Sequence, residues 1–240
     1  MYGWRIRVGL AVPSVNTVME SELSTNAPEG VSVATGRMGS FGDLTIENLS
    51  VINEDLEQSA TLLAPADVDV IVYGLGMTPA SVVDGESHDV TVRERIESTA
   101  DVTGIASSGS LRRAFDALGV DRIAALTPYT DNINAHLREH AADGWGYPIV
   151  ATAGWRITEG VNIGNPTPGQ TYRQARAVDH PDADAVVVGG TNQRSFEMID
   201  TLERDLGKPV VTANQATLWD VLQQTGVDYS DIELGRLFKQ

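Results

Sequence analysis

The sequence predicts an α/β protein built from two pseudo-symmetric lobes, each with a mostly parallel sheet. An internal repeat is the first reason: residues 68–74 (VDVIVYG) return 115 positions later as residues 183–189 (ADAVVVG), and the same shift carries Pro13 onto Pro128. The second reason is that short Val- and Ile-rich runs alternate with longer amphipathic stretches, the pattern of strands joined by helices in a parallel sheet. A duplicated half-domain places matching strand ends face to face, so we expect the functional site in the cleft between the lobes.

Strands are expected where apolar runs are bounded by Gly, Pro or Asp, and helices where apolar residues recur at helical spacing. The strands are predicted at residues 5–12, 31–37, 68–74, 104–107, 122–127, 148–153, 185–189 and 209–212. The helices are predicted at residues 16–26, 48–64, 88–101, 109–118, 131–142, 168–178, 192–206 and 214–225. Asp131 and Asn192 are expected to cap two of these helices, because their side chains can accept the first free backbone amides. Lobe A is expected to comprise residues 1–104 and 213–240, and lobe B residues 105–212.

The charge balance excludes several classes of partner. The chain carries 33 acidic against 17 basic residues, a net charge of −16, and Lys208 and Lys239 are its lysines. Such a surface repels nucleic acid and anionic membranes, and it is typical of halophilic proteins because molar salt screens the repulsion. The sequence has no apolar run of about 18 residues for a membrane span and no signal-peptide pattern at its start, so we expect a cytoplasmic protein.

Cofactor and metal chemistry have little support in the sequence. The absence of cysteine excludes disulfides, thiolate metal sites and cysteine nucleophiles. His136 and His140 have the spacing of two metal ligands on a helix, but no glutamate follows the first histidine, which favours a solvated helix face. Residues 74–76 (GLG) lack the third glycine of a dinucleotide-binding loop. These patterns support neither a metal site nor a nucleotide cofactor.

Four loops that follow predicted strands are rich in uncharged hydrogen-bond donors. They span residues 13–17 (PSVNT), 74–81 (GLGMTPAS), 127–134 (TPYTDNIN) and 189–195 (GGTNQRS). A helix N-terminus after a glycine loop favours an anion, so a carboxylate or a phosphate fits here. The alternative is that these Ser, Thr and Asn residues only cap helices, and the sequence leaves both interpretations open.

Within these loops the chain resembles the Asp/Glu racemase superfamily. The resemblance lies in residues 13–20 (PSVNTVME), 127–129 (TPY), 190–194 (GTNQR) and 214–219 (NQATLW). It is most similar to the branch of maleate cis-trans isomerases, arylmalonate decarboxylases and ectoine-utilisation racemase-like proteins. This resemblance implies two Rossmann-like lobes that hold a small mono- or dicarboxylate with no metal and no organic cofactor. It also implies a homo-oligomer, either a dimer or a tetramer. Trp4, Trp145, Trp155 and Trp219 are candidate anchors of such an interface, although they fit a core equally well.

The resemblance also implies which residues bind the substrate. Asn16 and Tyr129 would hydrogen-bond its carboxylate oxygens, backbone amides near Thr78 and Thr191 would surround them, and Asn162 would be a further contact. The full expected set is Pro13, Ser14, Asn16, Gly76, Thr78, Tyr129, Asn134, Asn162, Gly190, Thr191 and Asn192. Uncharged donors of this kind can stabilise the negative charge that develops on an enediolate.

The chain departs from the family at the two positions that usually hold catalytic cysteines. The first falls on Leu75, or on Gly76 if the loop carries an insertion, and the second falls on Gly190. Neither Leu nor Gly exchanges a proton or forms an adduct, so two-base racemisation and thiol addition are both unavailable. Decarboxylases of this family need the second thiol as proton donor, and it too is absent. Either another group has taken over, or the protein binds without turnover, or a cysteine-bearing parent was altered, which the thiol-free composition does not favour.

His88 is the main candidate for a replacement acid or base, because an ordinary histidine titrates near pH 6.5. The competing interpretation is a helix-start residue at the lobe surface. Asp84 and Glu86 are weaker candidates that are more typical of solvated carboxylates, and Arg194 is expected either to bind a carboxylate or to pair with Glu197. The leading hypothesis is an isomerase, racemase or decarboxylase acting on a small carboxylate, and the alternative is a catalytically silent binding or regulatory protein.

Overall fold

A computed structural model describes residues 2–39 and 42–240, and within them the strands form two four-stranded parallel sheets. The first sheet contains β1 (Ile6–Pro13), β2 (Val31–Met38), β3 (Val70–Tyr73) and β4 (Thr103–Ala106) in the order β2-β1-β3-β4. The second contains β5 (Ile123–Thr127), β6 (Ile149–Gly154), β7 (Ala185–Val188) and β8 (Val210–Thr212) in the order β6-β5-β7-β8. The strand order is therefore the same in both sheets, which confirms the predicted α/β class.

Helices connect successive strands, since parallel neighbours need a crossover connection. They are α1 (Met19–Asn26), α2 (Ile46–Leu49), α3 (Leu56–Leu63), α4 (Pro79–Asp84), α5 (Glu86–Ala100), α6 (Ser107–Leu118), α7 (Asp131–His140), α8 (Pro168–Val178), α9 (Ile199–Leu206) and α10 (Ala213–Thr225). Short 3₁₀ turns lie at Ala64–Ala66, Gly160–Asn162, Phe196–Met198 and Leu237–Lys239, and a π-helical turn at Ala141–Trp145 extends α7.

The burial of the strands explains why their sequences are so apolar. All residues of β3, β5 and β7 are buried, because helices cover both faces of a parallel sheet. Such strands appear in the sequence as continuous Val, Ile and Ala runs, and this is the signal that the internal repeat carries. The main hydrophobic core is continuous through both sheets and includes Val72 of β3 and Val187 of β7, and a second cluster around Leu56 and Ile71 lies beside the first sheet.

Helices α6 and α10 connect the two halves of the molecule, of which the first contains the sheet β1–β4 and the second the sheet β5–β8. Helix α6 follows β4 of the first sheet, whereas α10 follows β8 of the second. The Thr217 hydroxyl on α10 donates to the Ser107 hydroxyl at 2.9 Å, and the buried Asp220 carboxylate accepts from Ser110 at 2.7 Å and from Arg113. The expected boundary after residue 104 falls within β4, and the division into lobes A and B stays a prediction.

Two predicted helices differ in extent from those in the structure. The helix predicted at 16–26 begins only at Met19, because the Asn16 side-chain oxygen accepts the amides of Val18 and Met19 and residues 16–18 form its entry. The single helix predicted at 48–64 was wrong: α2 and α3 are separate, with residues 50–55 between them. Helical periodicity alone did not reveal this break.

Further differences lie beside the glycine-rich loops. The helix predicted at 192–206 begins at Ile199, so Asn192 does not cap it, and the Asn192 oxygen instead accepts the Thr17 amide at 2.9 Å. Asp131 was also wrong as a cap, since it is the first residue of α7. Helix α4 was missed, although Thr78 and Ser81 form a capping box at its start.

The four tryptophans occupy different environments. Trp145 and Trp219 are buried, Trp155 is partly buried against the core, and Trp4 is 55% exposed. None of the helices in residues 2–39 and 42–240 combines the length and the apolar character that crossing a bilayer requires.

Candidate functional site

A cavity of about 70 Å³ lies at the carboxyl ends of the central strands of both sheets. Pro13 and Pro128, the residues that the internal repeat relates, both contribute to its wall. The lining residues are Pro13, Val15, Asn16, Leu44, Leu49, Leu75, Gly76, Thr78, Pro128, Tyr129, Gly160, Ile163, Gly189, Gly190, Thr191 and Asn192. The cavity therefore lies where a ligand is expected in a doubly wound sheet, and loops from both halves enclose it.

Asn16 and Thr191 bring the two halves together at this cavity. The Asn16 amide donates to the Thr191 hydroxyl at 3.2 Å, and that hydroxyl donates to the Gly74 carbonyl oxygen at 2.8 Å. Asn192 adds a second link, because its side chain accepts the Thr17 amide and donates to the Val15 carbonyl oxygen at 3.2 Å. These pairs fix the loop after β7 against the loop after β1.

Residues 74–78 are held in a similar way. The Met77 amide donates to the Gly189 carbonyl oxygen at 2.8 Å, and the Tyr129 hydroxyl donates to the Met77 carbonyl oxygen at 3.0 Å. Burial raises the pKa of Tyr129, with the nearby Tyr73 adding to the shift, so the phenol stays protonated. A phenol has a single hydrogen to donate, and Met77 receives it. To donate to a carboxylate, Tyr129 would therefore have to turn away from Met77.

The space available for a side chain differs sharply among the positions at which the resemblance predicts the family's cysteines. The Leu75 side chain lies at the cavity wall. A Cβ atom at Gly76 would lie 2.4 Å from the Gly189 carbonyl oxygen, a backbone atom that cannot move aside cheaply. A Cβ atom at Gly190 would lie 2.6 Å from the Oε1 atom of Gln193, the end of a flexible side chain. The site can thus admit a side chain at position 190 more readily than at position 76.

Among the described residues that line the cavity, Tyr129 has the one titratable side chain. His88 is not among them. It is buried inside the first half, where burial lowers its pKa to about 4 and Asp84 opposes the shift. Its ring lies 6.3 Å from that of Tyr73. His88 lies in the first turn of α5, as the helix-start interpretation expected, but the expected surface position was wrong. The buried imidazole is neutral at pH 7.

Several residues expected at the site lie outside the cavity wall. Asn134 is buried and accepts the Thr127 hydroxyl at 2.7 Å. Ser14 is exposed, and Asn162 is exposed with its side chain bonded to Glu159 at 3.3 Å. The other candidates also lie away from the cavity wall. The Arg194 guanidinium lies 3.8 Å from the Glu197 carboxylate, and Asp84 and Glu86 are exposed. The ring centroids of His136 and His140 are 4.3 Å apart. Within the described ranges, no three His, Asp or Glu side chains are grouped to hold a metal ion.

Sequence reasoning missed the apolar part of the wall. Leu44 and Leu49 enter it from the segment before α3, and Ile163 enters from the segment after β6. The Leu44 amide donates to the Thr158 carbonyl oxygen at 2.8 Å, which joins the two segments over the cavity. Such isolated leucines carry no periodic signal, because their role depends on a contact between residues more than 100 positions apart.

Comparison with known proteins agrees with this geometry. The arylmalonate decarboxylase family matches residues 8–238. A maleate isomerase from Nocardia farcinica is 27% identical over 98% of this chain and 96% of its own length. An arylmalonate decarboxylase from Bordetella bronchiseptica is 24% identical over 91% of this chain and 90% of its own length.

A solved structure extends the comparison to the fold. It is a variant of the Nocardia farcinica maleate cis-trans isomerase with a covalently bound succinylcysteine intermediate, with a TM-score of 0.86, 24% identity and 98% of both chains covered. That intermediate requires a cysteine, which the present chain does not contain. The predicted resemblance is confirmed, and the match over nearly the whole chain shows that this protein belongs to the arylmalonate decarboxylase family.

Proposed function

We propose that this protein is an enzyme of the isomerase or decarboxylase type that acts on a small carboxylate, and that decarboxylation is the reaction its site fits best. The observation that carries the proposal is the composition of the cavity wall. The side-chain amides of Asn16 and Asn192, each of which uses one of its two hydrogens in the bonds above, share the wall with Thr78, Thr191 and apolar side chains such as Leu44. Such a wall has a polar part for one carboxylate and an apolar part for the rest of the molecule.

The wall suits the loss of carbon dioxide from a malonate. Donors preorganised around one carboxylate stabilise the charge that develops on it when a neighbouring carbon–carbon bond breaks. A second carboxylate against apolar side chains is poorly solvated, and its departure as carbon dioxide removes the charge from that position. The electron pair stays on the α-carbon as an enediolate. A water molecule then supplies the proton, leaving a monocarboxylate and hydroxide.

Isomerisation of a maleate-like double bond fits less well. It needs a nucleophile that adds reversibly to the double bond so that rotation can occur. Among the described lining residues, the hydroxyls of Thr78 and Thr191 are the aliphatic candidates, and both are engaged: Thr78 caps α4 and Thr191 donates to Gly74. Neither has a basic side chain as its partner, so neither is activated.

An assembly of two or four copies and a cytoplasmic location, both expectations from the sequence, remain parts of this proposal.

The experiment compares phenylmalonate with maleate in molar KCl. We expect phenylmalonate to raise the melting temperature and to lose carbon dioxide faster than in buffer, with both products followed by NMR. The variant Thr191→Val should lose both effects, whereas Thr201→Val, the same change at an exposed position of α9, should keep them. Conversion of maleate to fumarate would favour the isomerase type. Binding without turnover of either compound would favour the silent binder, and no binding at all would overturn the proposal.

A further inference from the structure

Glu22 is a buried carboxylate that links the first half to the second. It lies on α1 and is 9% exposed. Its oxygens accept the Ser195 amide at 2.6 Å, the Phe196 amide at 3.1 Å and the Asn214 side-chain amide at 2.6 Å. The Ser195 hydroxyl approaches within 3.2 Å as well. All of these donors lie more than 170 positions away along the chain.

The donors require an acceptor without a hydrogen of its own. Three of them are N–H groups, which cannot accept, so an ionised carboxylate matches them and a carboxamide does not. Burial raises the pKa of Glu22, while its bonds to Asn214, Ser195 and Phe196 oppose that shift. A glutamine at this position would direct its own NH₂ group at one of the donors, and a buried donor without an acceptor is costly.

Asn214 links Glu22 to Thr191, a residue of the cavity wall. Its side-chain nitrogen donates both to Glu22 and, at 3.0 Å, to the Thr191 carbonyl oxygen. Thr191 lines the cavity and bonds to Asn16. Glu22 itself bonds to residues that are not part of the cavity wall. Its effect on a ligand must therefore pass through Asn214 and the loop after β7.

We propose that Glu22 is a positioning residue for the carboxylate site: its side chain holds Asn214 and residues 195–196 so that Thr191 and Asn192 keep their places in the cavity wall. The inference rests on the proposed function, since it concerns the same site. The competing explanation is a purely structural role, in which Glu22 adds stability without setting the geometry of the loop.

Glu203 provides a matched control. It is a second buried glutamate, located on α9, and its carboxylate accepts the amides of Val210 at 3.0 Å and Arg236 at 2.9 Å. Neither partner lines the cavity. Glu22→Gln and Glu203→Gln thus make the same chemical change in similar surroundings. If Glu22 has a purely structural role, the two substitutions should have the same effect on the exchange of the loop after β7 and on ligand affinity, and only the loss of stability may differ. If Glu22 is a positioning residue, only Glu22→Gln should change the loop and the affinity.

The first measurement is hydrogen–deuterium exchange of the ligand-free protein, read on a peptide covering residues 190–194. These residues do not bond to Glu22, so their exchange reports the loop rather than the lost contact. We expect Glu22→Gln to speed their exchange about threefold or more, while Glu203→Gln leaves it unchanged. Equal exchange in the two variants would overturn the proposal. This measurement needs no ligand, so it decides the positioning role even if the proposed function fails.

The second measurement is calorimetric titration with phenylmalonate at a temperature where both variants are folded. We expect Glu22→Gln to weaken binding about tenfold, the effect of one lost hydrogen bond to a charged group, and Glu203→Gln to leave binding unchanged. If Glu22→Gln does not fold, Asn214→Leu replaces it, because that change removes the link to Thr191 and leaves Glu22 bonded to Ser195 and Phe196. Wild-type affinity in Asn214→Leu, or equal weakening in both glutamate variants, would contradict the proposal.

Discussion

The Asn16 side-chain amide donates to the Thr191 hydroxyl at 3.2 Å, although 175 residues separate them in the chain. Both side chains are buried, and each has further partners: Asn16 accepts the Val18 and Met19 amides, and Thr191 donates to the Gly74 carbonyl oxygen. The residues that form the cavity wall thus also hold the two halves together. Binding and stability are therefore coupled at this position.

This coupling predicts non-additive losses of stability. Asn16→Ala should lower the free energy of unfolding by about 1–3 kcal/mol, because it removes the acceptor of the Val18 and Met19 amides and leaves buried groups without partners. Thr191→Val should cost a similar amount. In urea denaturation the double variant should lose less free energy of unfolding than the two single variants lose together, because the hydrogen bond between Asn16 and Thr191 can be lost only once. Thr61→Val, at an exposed site on α3, serves as the control and should have little effect. Strict additivity would show that the bond does not contribute.

Because the chain contains no cysteine, a single cysteine can be placed at each position where the resemblance predicts one, namely 75 or 76 and 190. A Cβ at 190 meets the movable Gln193 side chain, whereas a Cβ at 76 meets the Gly189 backbone. Gly190→Cys should therefore fold with a melting temperature near that of the parent, and Gly76→Cys should be clearly less stable. Leu75→Cys is the matched control, because position 75 already has a side chain. Thermal melting and titration of the single thiol with an alkylating reagent would measure both properties.

A carboxylate at the proposed site should protect the thiol of Gly190→Cys. Phenylmalonate should slow its alkylation, because residue 190 lines the cavity. Alkylation at the same rate with and without phenylmalonate would show that the anion binds elsewhere. Greater stability of Gly76→Cys than of Gly190→Cys would contradict the backbone clash.

His88 should make the protein sensitive to acid. Its pKa is about 4 in the folded chain, against about 6.5 when unfolded, so only the unfolded state takes up a proton between these values. The stability that the neutral imidazole contributes is complete above pH 6.5 and is lost as the pH falls towards 4, by about 1.4 kcal/mol per pH unit within this window. His88→Gln should lack this loss.

Denaturation at pH 7, 5.5 and 4.5 would measure the effect. Glu22 and Glu203, whose pKa values burial raises, contribute the opposite slope in both proteins, so the difference between wild type and His88→Gln isolates the histidine. Parallel profiles would mean that the pKa of His88 is the same in the folded and the unfolded state, and would contradict the lowered pKa.

The net charge of −16 predicts that salt stabilises the chain. Repulsion among surface carboxylates opposes the compact state, and at about 1 M salt the screening length falls to about 3 Å. The melting temperature should rise between about 0.1 M and about 2 M KCl. A variant with Glu54→Gln, Glu94→Gln and Asp143→Asn, all at exposed positions, carries three fewer negative charges and should rise less. An equal rise would point to a salt effect unrelated to charge.

Some of the site followed from local sequence. Asn16, Thr78, Tyr129, Gly190, Thr191 and Asn192 were expected near the carboxyl ends of strands, and the structure brings them to one cavity. Asn134 and Asn162 were expected there too, but their side chains bond to neighbours instead. Position after a strand is a local property that sequence records. The direction in which a side chain turns depends on what surrounds it.

The extent of the loops was harder to predict. Residues 192–198 carry an amphipathic pattern that favours a helix, yet the Asn192 side chain bonds to Thr17 and Val15, and the Ser195 and Phe196 amides bond to Glu22. These partners come from the first half. Contacts between distant parts of the chain thus override the local helical preference.

The sequence alone determined that the chain forms two α/β halves with parallel sheets and that the site contains no thiol. Buried strands require apolar runs, and the internal repeat shows the matching runs in the two halves. Tertiary structure decided which distant residues meet: Asn16 with Thr191, Glu22 with Asn214, and Leu44 with the polar residues of the cavity wall. The physical reason is that burial leaves a local pattern in the chain, whereas a hydrogen bond between the halves depends on how two distant loops are brought together.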